Sequence, residues 1–110
     1  MTISKRLLAQ GVGSAATSFD LYVCKDNTVV EVTSLIVCNR GAVDAIRVSI
    51  SLLGAATATK DYLYYDLAMA VNDTFAAALE FMLPAGCIVR AYSTTGNSSF
   101  SLFGTEEYPV

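Results

Sequence analysis

Histidine and tryptophan are absent from this chain, proline occurs twice, and only 15% of the residues carry a charged side chain. Without histidine, the commonest general base and a common metal ligand are both missing. Cys24, Cys38 and Cys87 are odd in number and lack CxxC spacing, so neither a zinc site nor a disulfide framework is expected. They read as reduced, buried thiols, with an intersubunit disulfide left open to whichever one faces outward. The seven basic residues are scattered, only Lys5 and Arg6 being adjacent, in a chain of net charge −3 and pI near 4.6, which offers no footprint for a phosphate backbone. Nucleic acid is therefore not an expected ligand. Arg40, Asp44, Arg47 and Lys60 break up the apolar stretches before the roughly 20 residues of a membrane span. The run Leu7–Ala9 is too short for the core of a signal peptide. A soluble protein with no membrane partner is expected.

What is present is hydrophobic: 54% of 110 residues, enough for one domain with one core. Period two dominates. Val30, Val32, Ile36 and Cys38 share one strand face against Glu31 and Thr33, which puts the Cys38 thiol toward the core and makes Cys24 the more reactive of the two. Ile46, Val48, Ile50 and Leu52 alternate with Arg47, Ser49 and Ser51, and Phe19, Leu21 and Val23 with Asp20, Tyr22 and Cys24. Lys25-Asp26-Asn27-Thr28 reads as a hairpin turn, and Thr94-Thr95-Gly96-Asn97 as another turn in which Gly96 or Asn97 takes a positive φ. The segment 74–83 fits two periods. Phe75, Ala78, Leu79 and Met82 have helical spacing, yet Phe75, Ala77, Leu79, Phe81 and Leu83 alternate without a break, and the segment is read as strand. The expected fold is all-β: a single-domain antiparallel β-sandwich, jelly-roll-like, with about eight strands. Residues 1–16 are expected to form an extended N-terminal arm and residues 17–110 the sandwich domain.

The remaining polar groups suggest no catalytic constellation. Cys38 has no base beside it, and the nearest carboxylate pairs, Asp61 with Asp66 and Glu106 with Glu107, read more simply as strand-end and tail charges. "GVGSAAT" (Gly11–Thr17) lacks the lysine of a phosphate loop and reads as a flexible turn. No enzyme activity, catalytic residue, cofactor or metal is expected. Cys38-Asn39-Arg40 reads as the corner where a strand ends. Arg47, mid-strand on a polar face, reads as a solvated charge or a cross-strand partner of a residue such as Glu31. Tyrosines supply the candidate surface. Strict alternation places Tyr62, Tyr64 and Asp66 on one face, suited to a subunit interface, to stacking on a sugar or to a lid over the core, with interface the preferred reading; Tyr22, Arg47 and Tyr108 complete the interface candidates.

The order "LYVCKDNTVVEVTSLIVCNRG", "AIRVSISLLGAA", "KDYLYYDLAMAVNDTF", "LPAGCIVRAYS", "SFSLFGTEE" resembles small virion structural proteins of tailed bacteriophages, over residues from about Leu21 to Glu107. Its most specific pieces are Val37-Cys38-Asn39-Arg40, Tyr64-Tyr65-Asp66 with Asn72-Asp73-Thr74, and Ser99-Phe100 with Phe103-Gly104. Members often show "VPAG" where this chain has Val23-Cys24-Lys25-Asp26, so the first turn departs from the pattern. The resemblance implies a non-enzymatic virion component made in the host cytoplasm, a capsid decoration or cement protein. Its implied partners are itself, as a homo-oligomer and by analogy a trimer, and the major capsid protein or other virion proteins. A tail, baseplate or fibre-adaptor component and a carbohydrate-binding module are the alternatives.

Overall fold

The computed structural model describes residues 2–52 and 54–109. Met1, which belongs to the expected arm, and Leu53 and Val110, which belong to the expected domain, lie outside the described residues. Eight strands follow one another: β1 (Thr2–Gly11), β2 (Phe19–Val23), β3 (Val29–Asn39), β4 (Asp44–Leu52), β5 (Tyr62–Met69), β6 (Thr74–Leu83), β7 (Cys87–Ser93) and β8 (Ser98–Tyr108). Two antiparallel four-stranded sheets result, ordered β1-β8-β3-β6 and β2-β7-β4-β5. The rungs β1·β8, β2·β7, β3·β6 and β4·β5 are those of one long hairpin rolled over itself, the jelly-roll solution to burying two sheet faces at once. The helical spacing in 74–83 is not used. β6 keeps its alternation for all ten residues, with Phe75, Ala77, Leu79, Phe81 and Leu83 turned inward.

Several sequence expectations change. Residues 2–11, expected within an arm, form an edge strand paired with β8 from Thr2↔Tyr108 to Gly11↔Phe100, because β8 would otherwise leave its own ladder groups unpaired. Lys25–Thr28 does not close a hairpin. β2 pairs with β7 and β3 with β8 and β6, so this turn, with Asn27 at φ 58, carries the chain from one sheet to the other. Turn chemistry dictates a reversal and says nothing about which sheet receives the next strand.

The third change concerns Cys38. Against β8, β3 advances two residues from Val32 to Ser34 while β8 advances one, from Gly104 to Phe103. This bulge at Thr33 moves the inward set from Val30 and Val32 to Leu35, Val37 and Asn39, and Ile36 and Cys38 turn outward. Cys24, expected on the polar side, is only 1% exposed, and its thiol lies near the carbonyls of Leu83 and Thr28. Gly104 sits at the same level. A Cβ there would stand 2.1 Å from the Glu31 carbonyl oxygen, so only glycine lets β8 and β3 approach across the bulge.

The core comprises Val30, Val32, Leu35 and Val37 of β3, Phe100 and Leu102 of β8, and Ile46, Val48, Val89 and Met69 from the facing sheet. Burying each large side chain contributes about 1.5–3 kcal/mol. In β4 the simple alternation holds only through Val48. Leu52 is 65% exposed while Ser49 and Ser51 are buried. The β4–β5 loop is tied back by Arg90, which lies opposite Ser49 and donates to the Ala55 carbonyl at 2.7 Å and to Thr57 Oγ1 at 3.1 Å.

Candidate interaction surface

The tyrosine strand β5 departs from period two twice. Its register against β4 runs Ile46↔Leu67, Val48↔Tyr64, Ser49↔Tyr62, so two residues, Tyr65 and Asp66, oppose the single residue Arg47, and Leu63 is also extra. Asp66 absorbs the first bulge at φ 53, a left-handed conformation that aspartate tolerates better than most residues. The bulges sort the tyrosines. Tyr64 follows Val48 inward and meets Phe75 edge to face, with ring centroids 5.3 Å apart. Tyr62 and Tyr65 stay outside, their rings 4.8 Å apart and near perpendicular.

Arg47 organises this outer face. Its Nε donates to Asp66 Oδ1 at 2.7 Å and its Nη2 to Oδ2 at 3.4 Å. The guanidinium carbon lies 4.2 Å from the Tyr65 ring centroid and 4.5 Å from that of Tyr92, which opposes Arg47 on β7. The Asp66 hydrogen bond raises the arginine pKa further, so the cation is permanent. The result is a fixed aromatic and cationic relief on which Tyr65 remains 59% exposed. Beside it, Thr57, Thr59, Tyr62 and Tyr65 line an open depression of about 390 Å³.

The six interface candidates therefore separate. Tyr62, Asp66 and Arg47 share the outer face of the β2-β7-β4-β5 sheet, and Arg47 pairs with Asp66 rather than with Glu31 of the other sheet. Tyr64 is core packing. Tyr22 reaches across to β8, where its hydroxyl donates to Glu106 Oε2 at 2.7 Å; Arg6 holds Oε1 at 3.3 Å. Burial first, then the Glu106 carboxylate, drives the Tyr22 hydroxyl pKa well above the ordinary range. Tyr108 is 55% exposed at the end of β8, over a separate hollow of about 560 Å³ that includes Lys25, Asp26 and Glu106. Tyr65, which strict alternation sets on the face opposite Tyr62, and Tyr92, which is not among the sequence candidates, also belong to this surface. The alternation Val89, Arg90, Ala91, Tyr92 already sets Tyr92 outward.

The corner Cys38-Asn39-Arg40 is a clamp. Buried Asn39 donates from Nδ2 to the Ala42 and Ala70 carbonyls, each at 2.8 Å, and accepts from the Gly41 N–H at 3.2 Å. Near it, buried Asp44 accepts hydrogen bonds from Ser93 Oγ and Ser98 Oγ on one oxygen and from the Ala45 and Thr95 N–H groups on the other. Burial pushes the Asp44 carboxyl pKa up, but these four donors together outweigh it and hold it below the ordinary 3.8. Three of the four carboxylates weighed in pairs for catalysis have partners of their own: Asp61 accepts from the Ala58 N–H and Lys60, Asp66 from Arg47 and Glu106 from Tyr22 and Arg6. Among the described residues, no group of three or more cysteine, aspartate or glutamate side chains is placed to hold a metal. No described helix is long and apolar enough to cross a membrane.

No protein-family model and no curated protein sequence matches the chain. Solved structures share its fold. A chain in the structure of infectious bursal disease virus, Gt strain, superposes with a TM-score of 0.57 at 11% identity over 98% of this chain. The Gx strain gives 0.56 at 12% identity over 96%, and the VP2 subviral particle of the same virus 0.55 at 12% over 96%. The likeness is one of fold. This chain spans about a third of those chains' length, 33%, 32% and 32% respectively.

Proposed function

We propose that this protein is a non-enzymatic structural component of a bacteriophage virion, a decoration or cement protein that binds the assembled head. The observation that carries this reading is the order β1-β8-β3-β6 over β2-β7-β4-β5, a topology that overlays chains of a virus particle across nearly its whole length. The resemblance of its sequence to tailed-phage virion proteins points the same way. The surface supports it physically: few charges, and a preorganised relief of Tyr62, Tyr65, Tyr92 and Arg47 of the kind that anchors protein interfaces. Many weak contacts with the major capsid protein or a neighbouring virion protein, repeated by symmetry, stabilise a shell through avidity without any one strong site.

The test is quantitative mass spectrometry of separated heads and tails, together with binding of the purified protein to undecorated heads. High copy number on heads, and heads that resist heat better once it is bound, are expected. Low copy number confined to tails would replace this reading with a tail or baseplate role. One observation favours a second reading. The depression lined by Thr57, Thr59, Tyr62 and Tyr65 combines two aromatic faces with two hydroxyls, the recipe for stacking and hydrogen bonding a sugar. Silence on a glycan array would remove it.

A further inference from the structure

A two-sheet sandwich has four edge strands, here β1, β6, β2 and β5, and each presents unpaired backbone groups unless something blunts it. Three are blunted. β1 carries the exposed charges Lys5 and Arg6 and a register shift at Leu8. β2 has only five residues and a shift of its own between Asp20 and Tyr22. β5 is bent twice and holds Asp66 in a left-handed conformation.

β6 is guarded least: it shares a register shift with β1 and β2 but lacks their other defences. It runs ten residues, Thr74–Leu83, without proline, without a left-handed residue and with the single charge Glu80. Its one register shift faces β3 and leaves the alternation intact. The outward side chains along its middle are Ala76 and Ala78, which let another backbone approach. Its inward side chains Phe75, Leu79 and Phe81 are only half-buried, so the core is incompletely covered along this side.

We propose that β6 pairs antiparallel with β6 of a second copy about a two-fold axis through Ala78, joining two four-stranded sheets into one of eight strands. This deepens the self-association on which the virion reading rests, and it replaces the expected trimer with a two-fold dimer. The strand is complementary to itself in that register. Phe75 faces Phe81 of the other copy, Ala77 faces Leu79, Ala76 faces Glu80, and Ala78 faces Ala78, so no like charges meet and the half-buried rings cover each other. Centring the pair on Glu80 would oppose two carboxylates. Using the strand as far as Leu83 is disfavoured because that residue is already fully covered, with the Cys24 thiol on its carbonyl. Paired over residues 74–82, two copies gain roughly one backbone hydrogen bond per residue. A second copy fits better than an unrelated strand because the one register that buries both phenylalanines in each copy also avoids every charge clash.

Light scattering across a dilution series tests the pairing with three proteins. The unaltered chain is expected to be a dimer. Ala78→Lys sets two ammonium groups face to face on the axis and should yield a folded monomer, its fold checked by thermal unfolding. Ala76→Lys places the same side chain opposite Glu80 and should keep the dimer. Ala78→Glu opposes two carboxylates at the same point and replaces the lysine variant if that one fails to fold. A trimer, or a dimer indifferent to both Ala78 variants, would overturn the edge pairing and leave self-association standing. Equal loss from Ala76→Lys and Ala78→Lys would also overturn it. A monomer at every concentration would overturn the pairing and the self-association together.

Discussion

At one end of the sandwich, where β3, β5 and β7 finish, polar side chains turn inward and find partners; along one side, where β5 and β6 form neighbouring edges, tyrosines and backbone groups face solvent. The end is a closed network. Asn39 ties its own corner to the turn after β5, Asp44 holds the start of β8 and the turn before it, and backbone bonds from Arg40 to Asn97 and from Asn72 to Gly41 join the loops. The side is the reverse: its order comes from the Arg47–Asp66 pair and ring contacts that exclude little water. A buried polar group without a partner costs far more than an exposed one. The end therefore decides whether the chain folds, and the side is the surface proposed to meet partners.

Substitutions should respect that division. Asp44→Ala leaves two hydroxyls and two N–H groups buried without an acceptor and should cost about 3 kcal/mol in urea unfolding. The same carboxylate sets a pH dependence. Its folded-state pKa lies below the unfolded 3.8, so the folded protein binds fewer protons there. The stabilisation is complete above the unfolded value and is lost as pH falls through the folded one. Thermal unfolding followed from about pH 6 to about pH 2 should show that acid loss in the unaltered protein and a shallower one in Asp44→Asn. An equal slope in both would assign the acid sensitivity elsewhere.

Asn39→Ala should cost about 2 kcal/mol, since it frees the Ala42 and Ala70 carbonyls and the Gly41 N–H at the same end. On the side, two adjacent tyrosines should behave differently. Tyr64→Ala removes a ring packed on Phe75 and should cost about 2 kcal/mol, whereas Tyr65→Ala should stay within about 1 kcal/mol and register instead in association. If the two cost the same, the bulges in β5 are misplaced. The smallest effect is chemical. In the native protein Cys38 should react with a bulky thiol reagent before Cys24 and Cys87, both buried, and stability should scarcely change.

β6 and β5 show what was legible. In β6 the pattern from Phe75 to Leu83 reads as strand because its in-and-out alternation persists through the register shift between Ala78 and Phe81. β5 misled the same reasoning, and Tyr64 was grouped with Tyr62 and Asp66 when it belongs to the core. A bulge adds one residue without altering composition, and everything beyond it changes face. Thr33 did the same to Cys38, and Cys24, just beyond the shift in β2, is buried instead. Gly96, in contrast, takes the positive φ allowed for it, at 77°, because that demand is local.

By itself, then, the sequence determined the all-β class, a count of about eight strands, the strand character of 74–83 and the absence of histidine chemistry, since alternation, turn residues and composition act within a few neighbours. The tertiary structure alone decided which sheet receives each strand, which tyrosines gather round Arg47, and that β6 is the least guarded edge. Those outcomes depend on register between segments up to a hundred residues apart in the chain, such as Arg6 and Glu106. Register is set by packing two sheet faces against each other, a condition no single stretch of sequence contains.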